Sequence, residues 1–338
     1  MKTKLILTLT LALNLTLLIS CSAMIGNLNN GLLRLSDDSE NSDDQRTPLT
    51  YPPDFVFVPG ATVNGAVQGS SIFISGRTVT IPDIYVCEHE VTQKEFTTYC
   101  DYSEELKNDI GNYPVQPRSN FGEGDDYPAF NVTWYDAIVY CNLRSLDEGL
   151  TPAYRIGNER DPRNWDGIQQ RGEKYCGPEN DNDTWNTMIY DQNASGYRLP
   201  TEAEWEYTAR NCNTDSYEYV GSDNYEDVAW CAQNSKNLGT SNPNFGTHLV
   251  KSKDPNGLEI YDMSGNVEEW CWDWVSFSIT ATTPVTGPSQ SNNFKIRRGG
   301  SWRHLASDAK INRRSFYYTH AYPDNEFCRG FRVVRTSF

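Results

Sequence analysis

Two long stretches, 152–196 and 211–257, constrain what this chain can fold into. Both are rich in Asn, Asp, Gly and Pro and read as loops rather than as regular elements. A fold with that much loop must take its core from a few large side chains. The sequence supplies them: 9 Trp, 20 Tyr and 13 Phe stand beside 24 Gly and 17 Pro in 338 residues. Large anchors and many turns predict an α+β class with much irregular structure and few long helices.

Regular elements are signalled at a few points only. Thr92-Gln-Lys-Glu95 and Thr201-Glu-Ala-Glu204 have the spacing of capping boxes, so a helix is predicted after each. Thr133 caps a third helix, with Trp134, Ala137, Ile138 and Cys141 on one face and an end near Gly149. Alternating or continuous apolar residues predict strands at Phe55–Val58, 71–74, Thr78–Ile81 and 331–335. No internal repeat and no second linker interrupts 51–338, which reads as one domain.

The N-terminus carries a different signal. Lys2 and Lys4 precede a short apolar run, Leu5 to Ile19, broken only by Thr8, Thr10, Asn14 and Thr16. That run is too short for a spanning helix and has the form of an export leader over 1–20. It ends in Leu18-Ile19-Ser20-Cys21, which resembles the lipobox of bacterial lipoproteins. The resemblance implies diacylated Cys21 as the mature N-terminus, anchored in a bacterial membrane and facing outward at the cell surface. Residues 21–50 then form an acidic tether, with Ser36-Asp-Asp-Ser-Glu-Asn-Ser-Asp-Asp44 lacking any apolar anchor.

Several function classes are excluded early. The net charge of −16 repels phosphate backbones, so nucleic acid is not an expected partner. A mean hydropathy of −0.64 excludes a multi-span membrane protein. There is no Walker loop, GxGxxG, GxSxG or CxxC. Eight Cys follow Cys21 and could be buried free thiols or any of 105 pairings.

Eight segments in a fixed order carry a family resemblance. They are Phe57-Val-Pro-Gly60, Glu90-Val-Thr-Gln-Lys-Glu-Phe96, Pro128-Ala-Phe-Asn-Val-Thr-Trp134 and Tyr197-Arg-Leu-Pro-Thr-Glu-Ala-Glu-Trp-Glu-Tyr207. Asn256-Gly-Leu258, Tyr261-Asp-Met-Ser-Gly-Asn-Val-Glu-Glu-Trp270, Arg298-Gly-Gly-Ser-Trp302 and Gly330-Phe-Arg-Val-Val334 complete the set. Together they resemble the formylglycine-generating enzyme, or sulfatase-modifying factor, family across nearly all of 55–335. The resemblance implies a C-type-lectin-like α+β fold. Glu202, Glu204 and Glu206 are then expected to pair with Arg198, Arg298 or Arg332 as scaffold.

The family's oxidases use two Cys thiolates that bind copper after the Arg-Gly-Gly-Ser-aromatic motif. In this chain His304 and Ala309 occupy those positions. Ala309 offers no ligand, and Cys328 lies much further along, so no copper and no oxidase chemistry are expected. The family's sulfoxide synthases need a His-pair helical domain, which is also missing. The resemblance further implies a structural calcium loop from Asp262, Gly265, Val267 and Glu269, all oxygen donors.

The segment from Trp302 to Gly330 mixes charge with large aromatics and follows neither helical nor strand periodicity. Tyr and Arg are residues that bind through flat, amphipathic contact. Together with the lipobox, this resembles the variable lipoproteins of treponemal diversity-generating retroelements. It implies a protein or glycan ligand held by Arg303, His304, Leu305, Asp308, Phe316, Tyr317, Tyr318, His320, Tyr322, Asp324, Glu326 and Phe327. An oxidase with relocated ligands and a structural envelope protein are the alternatives.

Overall fold

The computed structural model describes residues 53–102, 121–288, 293–320 and 328–337, within a compact unit spanning Tyr51–Phe338. The leader, Cys21 and the tether lie outside the described residues, as do Tyr322, Asp324, Glu326 and Phe327.

Three helices start where the sequence marks them. Helix α1 (Gln93–Tyr99), α2 (Trp134–Asp147) and α3 (Glu202–Ala209) each carry a complete capping box, at Thr92, Thr133 and Thr201. Each Thr hydroxyl accepts an N3 amide and each N3 carboxylate returns to the cap amide, so two otherwise unpaired donors are satisfied. Helix α2 was expected to bury one face. It is instead buried nearly all round, from Trp134 to Leu143, because the chain wraps it on every side.

Two sheets frame the core. The first has order β1-β4-β9, with β1 (Phe55–Val58) and β9 (Val334–Thr336) both antiparallel to β4 (Ile84–Cys87). The strands β2 (Ala61–Asn64) and β3 (Thr78–Ile81) form a hairpin beside it. The second sheet has order β7-β6-β5-β8. Its strands are β5 (Glu268–Trp274), β6 (Phe294–Arg298), β7 (Ser315–Tyr318) and the short β8 (Arg329–Gly330).

Strand β5 is the wall between two cores. Trp270 packs into one cluster around α2, with Tyr154, Trp185 and Phe331. Cys271 faces the other way, into a cluster with Trp205, Ile260 and Ile296. Alternation along a strand places neighbours on opposite faces, so one strand serves both. Its charged residues are therefore buried too, and each needs a partner.

Two strand expectations fail for visible reasons. At 71–74 the chain turns instead of extending. The Ser70 hydroxyl accepts the amides of Ile72 and Phe73, while Arg77 donates to the Ile72 carbonyl. Ile72 and Phe73 are still buried, so the apolar signal was real and its local geometry was set by side-chain hydrogen bonds. At 331–335 only the end is strand, because Phe331 and Val333 bond irregularly to Val91 and Cys87. All eight described Cys are free thiols.

The expected Arg–carboxylate scaffold is present with one exchange. Arg198 holds Glu204 through two hydrogen bonds, and Arg298 holds Glu202 and Glu206. Arg332 pairs instead with Glu269 on β5, at 2.7 and 2.8 Å.

Candidate functional site

The segment after β6 turns sharply at Gly299 and Gly300, both with positive φ. A Cβ on Gly300 would lie 2.8 Å from the Asp308 carbonyl and 2.9 Å from Ala309 Cα, so only glycine allows this approach. Behind the turn lies a cavity of about 200 Å³. Glu268, Arg297, His304, Asp308, Arg313 and Ser315 contribute to its wall.

His304 follows the turn directly, and Cys328, much further along the chain, is brought to the same place. Strand β8 runs parallel to the start of β5, pairing Arg329 with Glu268 and Gly330 with Glu269. The Glu268 amide donates to the Cys328 carbonyl at 2.8 Å. That pairing draws Cys328 up to the double-glycine turn. Glu268, His304 and Cys328 thus offer a carboxylate oxygen, a ring nitrogen and a sulfur within 4.8 Å of one another. Among the described residues no other set of three carboxylate, imidazole or thiol groups converges in this way. Nothing in the sequence pattern signals it, because a two-residue parallel strand has no periodicity to read.

Ser301 sits between the last two groups. Its hydroxyl lies 2.9 Å from His304 Nδ1 and also hydrogen-bonds the Cys328 thiol. Burial and the Glu268 charge push that thiol up to about 12. Glu268 is itself buried and lies 2.8 Å from Arg297 Nη1. Ala309, in the position of the oxidases' second thiol, is fully buried in an apolar cluster with Tyr219, Val228 and Cys231.

The remaining predicted ligand residues divide into two groups. Arg303 is half-buried over the Trp302 ring, Leu305 is exposed, and Asp308 pairs with Arg313 at 3.3 Å. Of these, Asp308 and its partner Arg313 line the cavity. The second group lies on β7, the outer strand of its sheet, whose first residue Ser315 reaches the cavity wall. Phe316 and Tyr318 project outward, 39% and 41% exposed. Tyr317 alternates to the other face, against the Arg297 and Arg329 guanidinium groups and the α2 core. It belongs to the scaffold in good part, contrary to its placement with the ligand surface.

The outward residues make a row of rings. Phe277, 71% exposed, meets Phe316 edge-on at 5.2 Å, Phe294 meets Tyr318 at 4.5 Å, and His320 follows at 5.9 Å. His320 also lies 3.8 Å from Asp181. Phe277 and Phe294 were not foreseen, since they come from separate loops and strands.

The residues of the expected calcium loop have protein partners in this structure. Glu269 already accepts two bonds from Arg332 and one from Trp205 Nε1, which fill three of its four lone-pair sites. Asp262 accepts from the Lys251 amide at 2.6 Å. The Gly265 amide donates to the Gly299 carbonyl and the Val267 amide to the Glu90 carboxylate.

Comparison with known proteins gives a consistent picture. A model of the sulfatase-modifying factor enzyme 1-like domain matches residues 40–337. A protein named chaperone protein LppX, from Paenibacillus barcinonensis, is 36% identical over 85% of this chain and 91% of its own length. The formylglycine-generating enzyme of Streptomyces coelicolor is 33% identical, over 38% of this chain and 43% of its own. Among solved structures, Treponema denticola variable protein 1 is similar over 84% of this chain and 95% of its own, with 26% identity and a TM-score of 0.62.

Proposed function

The chain belongs to the family of sulfatase-modifying factor enzyme 1-like domains, and from that premise we propose that it is an exported, lipid-anchored binding protein that grips an extended polypeptide along β7. The carrying observation is a row of rings in which Phe316 and Tyr318 of the outer strand β7 meet Phe294 of β6 and Phe277 of the loop after β5. An outer strand offers backbone groups to an incoming strand, and alternate side chains supply pockets. Exposed rings add the contact area that dominates binding energy. The relative named as a chaperone supports a polypeptide ligand. Cys21 supplies the anchor, and the acidic tether keeps the domain off an anionic membrane. His304 and Ala309 leave the family's oxidase without its thiolate pair.

Binding to an array of unfolded peptides tests this reading. Replacing Phe316 and Tyr318 with Ala should weaken binding by about tenfold or more, the weight of a hot-spot aromatic. The melting temperature should hold, because both rings face outward. Tyr317→Ala should lower it. Equal binding by the double variant would overturn the reading, as would formylglycine production from a Cys peptide with stoichiometric Cu(I).

The likeness to the variable protein favours a second reading of the same surface, in which its residues differ between copies of the gene. A near-copy of the 3′ coding end, differing at adenines and beside a reverse transcriptase, would establish it.

A further inference from the structure

We propose that Glu268, His304 and Cys328 form a zinc site whose fourth coordination position opens into the cavity behind the double-glycine turn. The three donor atoms already lie within 4.8 Å of one another. A tetrahedral ion with bonds of about 2.0–2.3 Å separates its ligands by roughly 3.3–3.8 Å, so shifts of about an ångström close the site. The donor set is mixed: one soft sulfur, one imidazole and one hard carboxylate. That combination suits zinc better than Cu(I), which favours paired sulfurs, or calcium, which favours oxygen alone.

The surroundings have the form of a supporting shell. Arg297 fixes Glu268 from the side. The Ser301 hydroxyl steadies the His304 ring and meets the thiol. Such outer partners orient ligands and hold their charge state. Cys328 is seated among Phe121, Phe130, Phe245 and Trp302, a buried apolar backing. Glu268 and His304 face the cavity, which gives the ion a path in and leaves room for water or a ligand donor at the fourth position. On binding, the thiol proton leaves to solvent and a sulfur–zinc bond replaces the sulfur–hydrogen bond. Three protein ligands and one open position are the arrangement of reactive zinc centres rather than of closed structural ones.

The test uses the whole reduced protein, loaded with Zn²⁺ and dialysed, with metal content read by mass spectrometry and Co²⁺ as a spectroscopic probe. One equivalent of zinc is expected. Cobalt should give tetrahedral visible bands and a near-ultraviolet sulfur charge-transfer band. Cys328→Ser should lose that charge-transfer band, and His304→Ala should weaken zinc by about tenfold to a hundredfold or more. His304 lies in a half-exposed turn, so its variant tests the site even if the Cys328 variant fails to fold. Zinc should also shield Cys328 from alkylation in the unaltered protein. Zinc retention equal in the unaltered protein and the His304→Ala variant, or cobalt spectra without sulfur ligation, would overturn the proposal.

Discussion

Arg332 shows how much one side chain can join in a fold with thin cores. Its guanidinium donates twice to Glu269 on β5, once to the Cys87 carbonyl on β4 and once to the Tyr261 carbonyl. Both charges are fully buried. A buried ion pair gains little over apolar residues of the same shape, but removing one partner strands the other. Arg332→Met should therefore cost about 3–5 kcal/mol in urea denaturation. Adding Glu269→Gln should return part of that loss, since the remaining amide can still accept from Trp205. A single variant as stable as the parent would show that water reaches Glu269.

Helix α3 is eight residues long, and its start is fixed by chemistry that the sequence states openly. The Thr201 hydroxyl accepts the Glu204 amide, while Glu204 accepts the Thr201 amide and two donors from Arg198. Thr201→Ala should cost about 1 kcal/mol, and Glu204→Ala distinctly more because Arg198 is left buried without its partner. Chemical denaturation of both variants checks the order. Capping of this kind is legible because donor and acceptor lie three residues apart. The hairpin strand Thr78–Ile81 was legible for the same reason, its alternation being local. The turn at 71–74 was not, since Ser70 and Arg77 override a true apolar signal. The meeting of Glu268, His304 and Cys328 was invisible, because it depends on two strands pairing across about sixty residues of chain.

At the scale of the molecule, buried carboxyls set the pH response. Burial pushes Asp273 up to about 8, with the Glu202 charge adding to it, and burial pushes Asp262 up to about 6. Both hold their proton to higher pH in the folded chain than at the ordinary 3.8. Their contribution to stability is complete below that value and is lost as pH rises through about 6 and then about 8. The melting temperature should fall across this range. Asp273→Asn should flatten the upper part, with its carbonyl oxygen still accepting from the Glu202 amide. An unchanged slope in the variant would remove Asp273 as the cause.

Strands β8 and β9 are outer strands that complete the two sheets. Strand β9 closes on β4 and β8 closes on β5, so neither sheet is complete until 329–336 have left the ribosome. Strand β9 reaches back to β4 across most of the domain, so its closure is a long-range contact that cannot form early. Deleting 329–336 would remove one strand from each sheet, whatever the quality of the helices upstream.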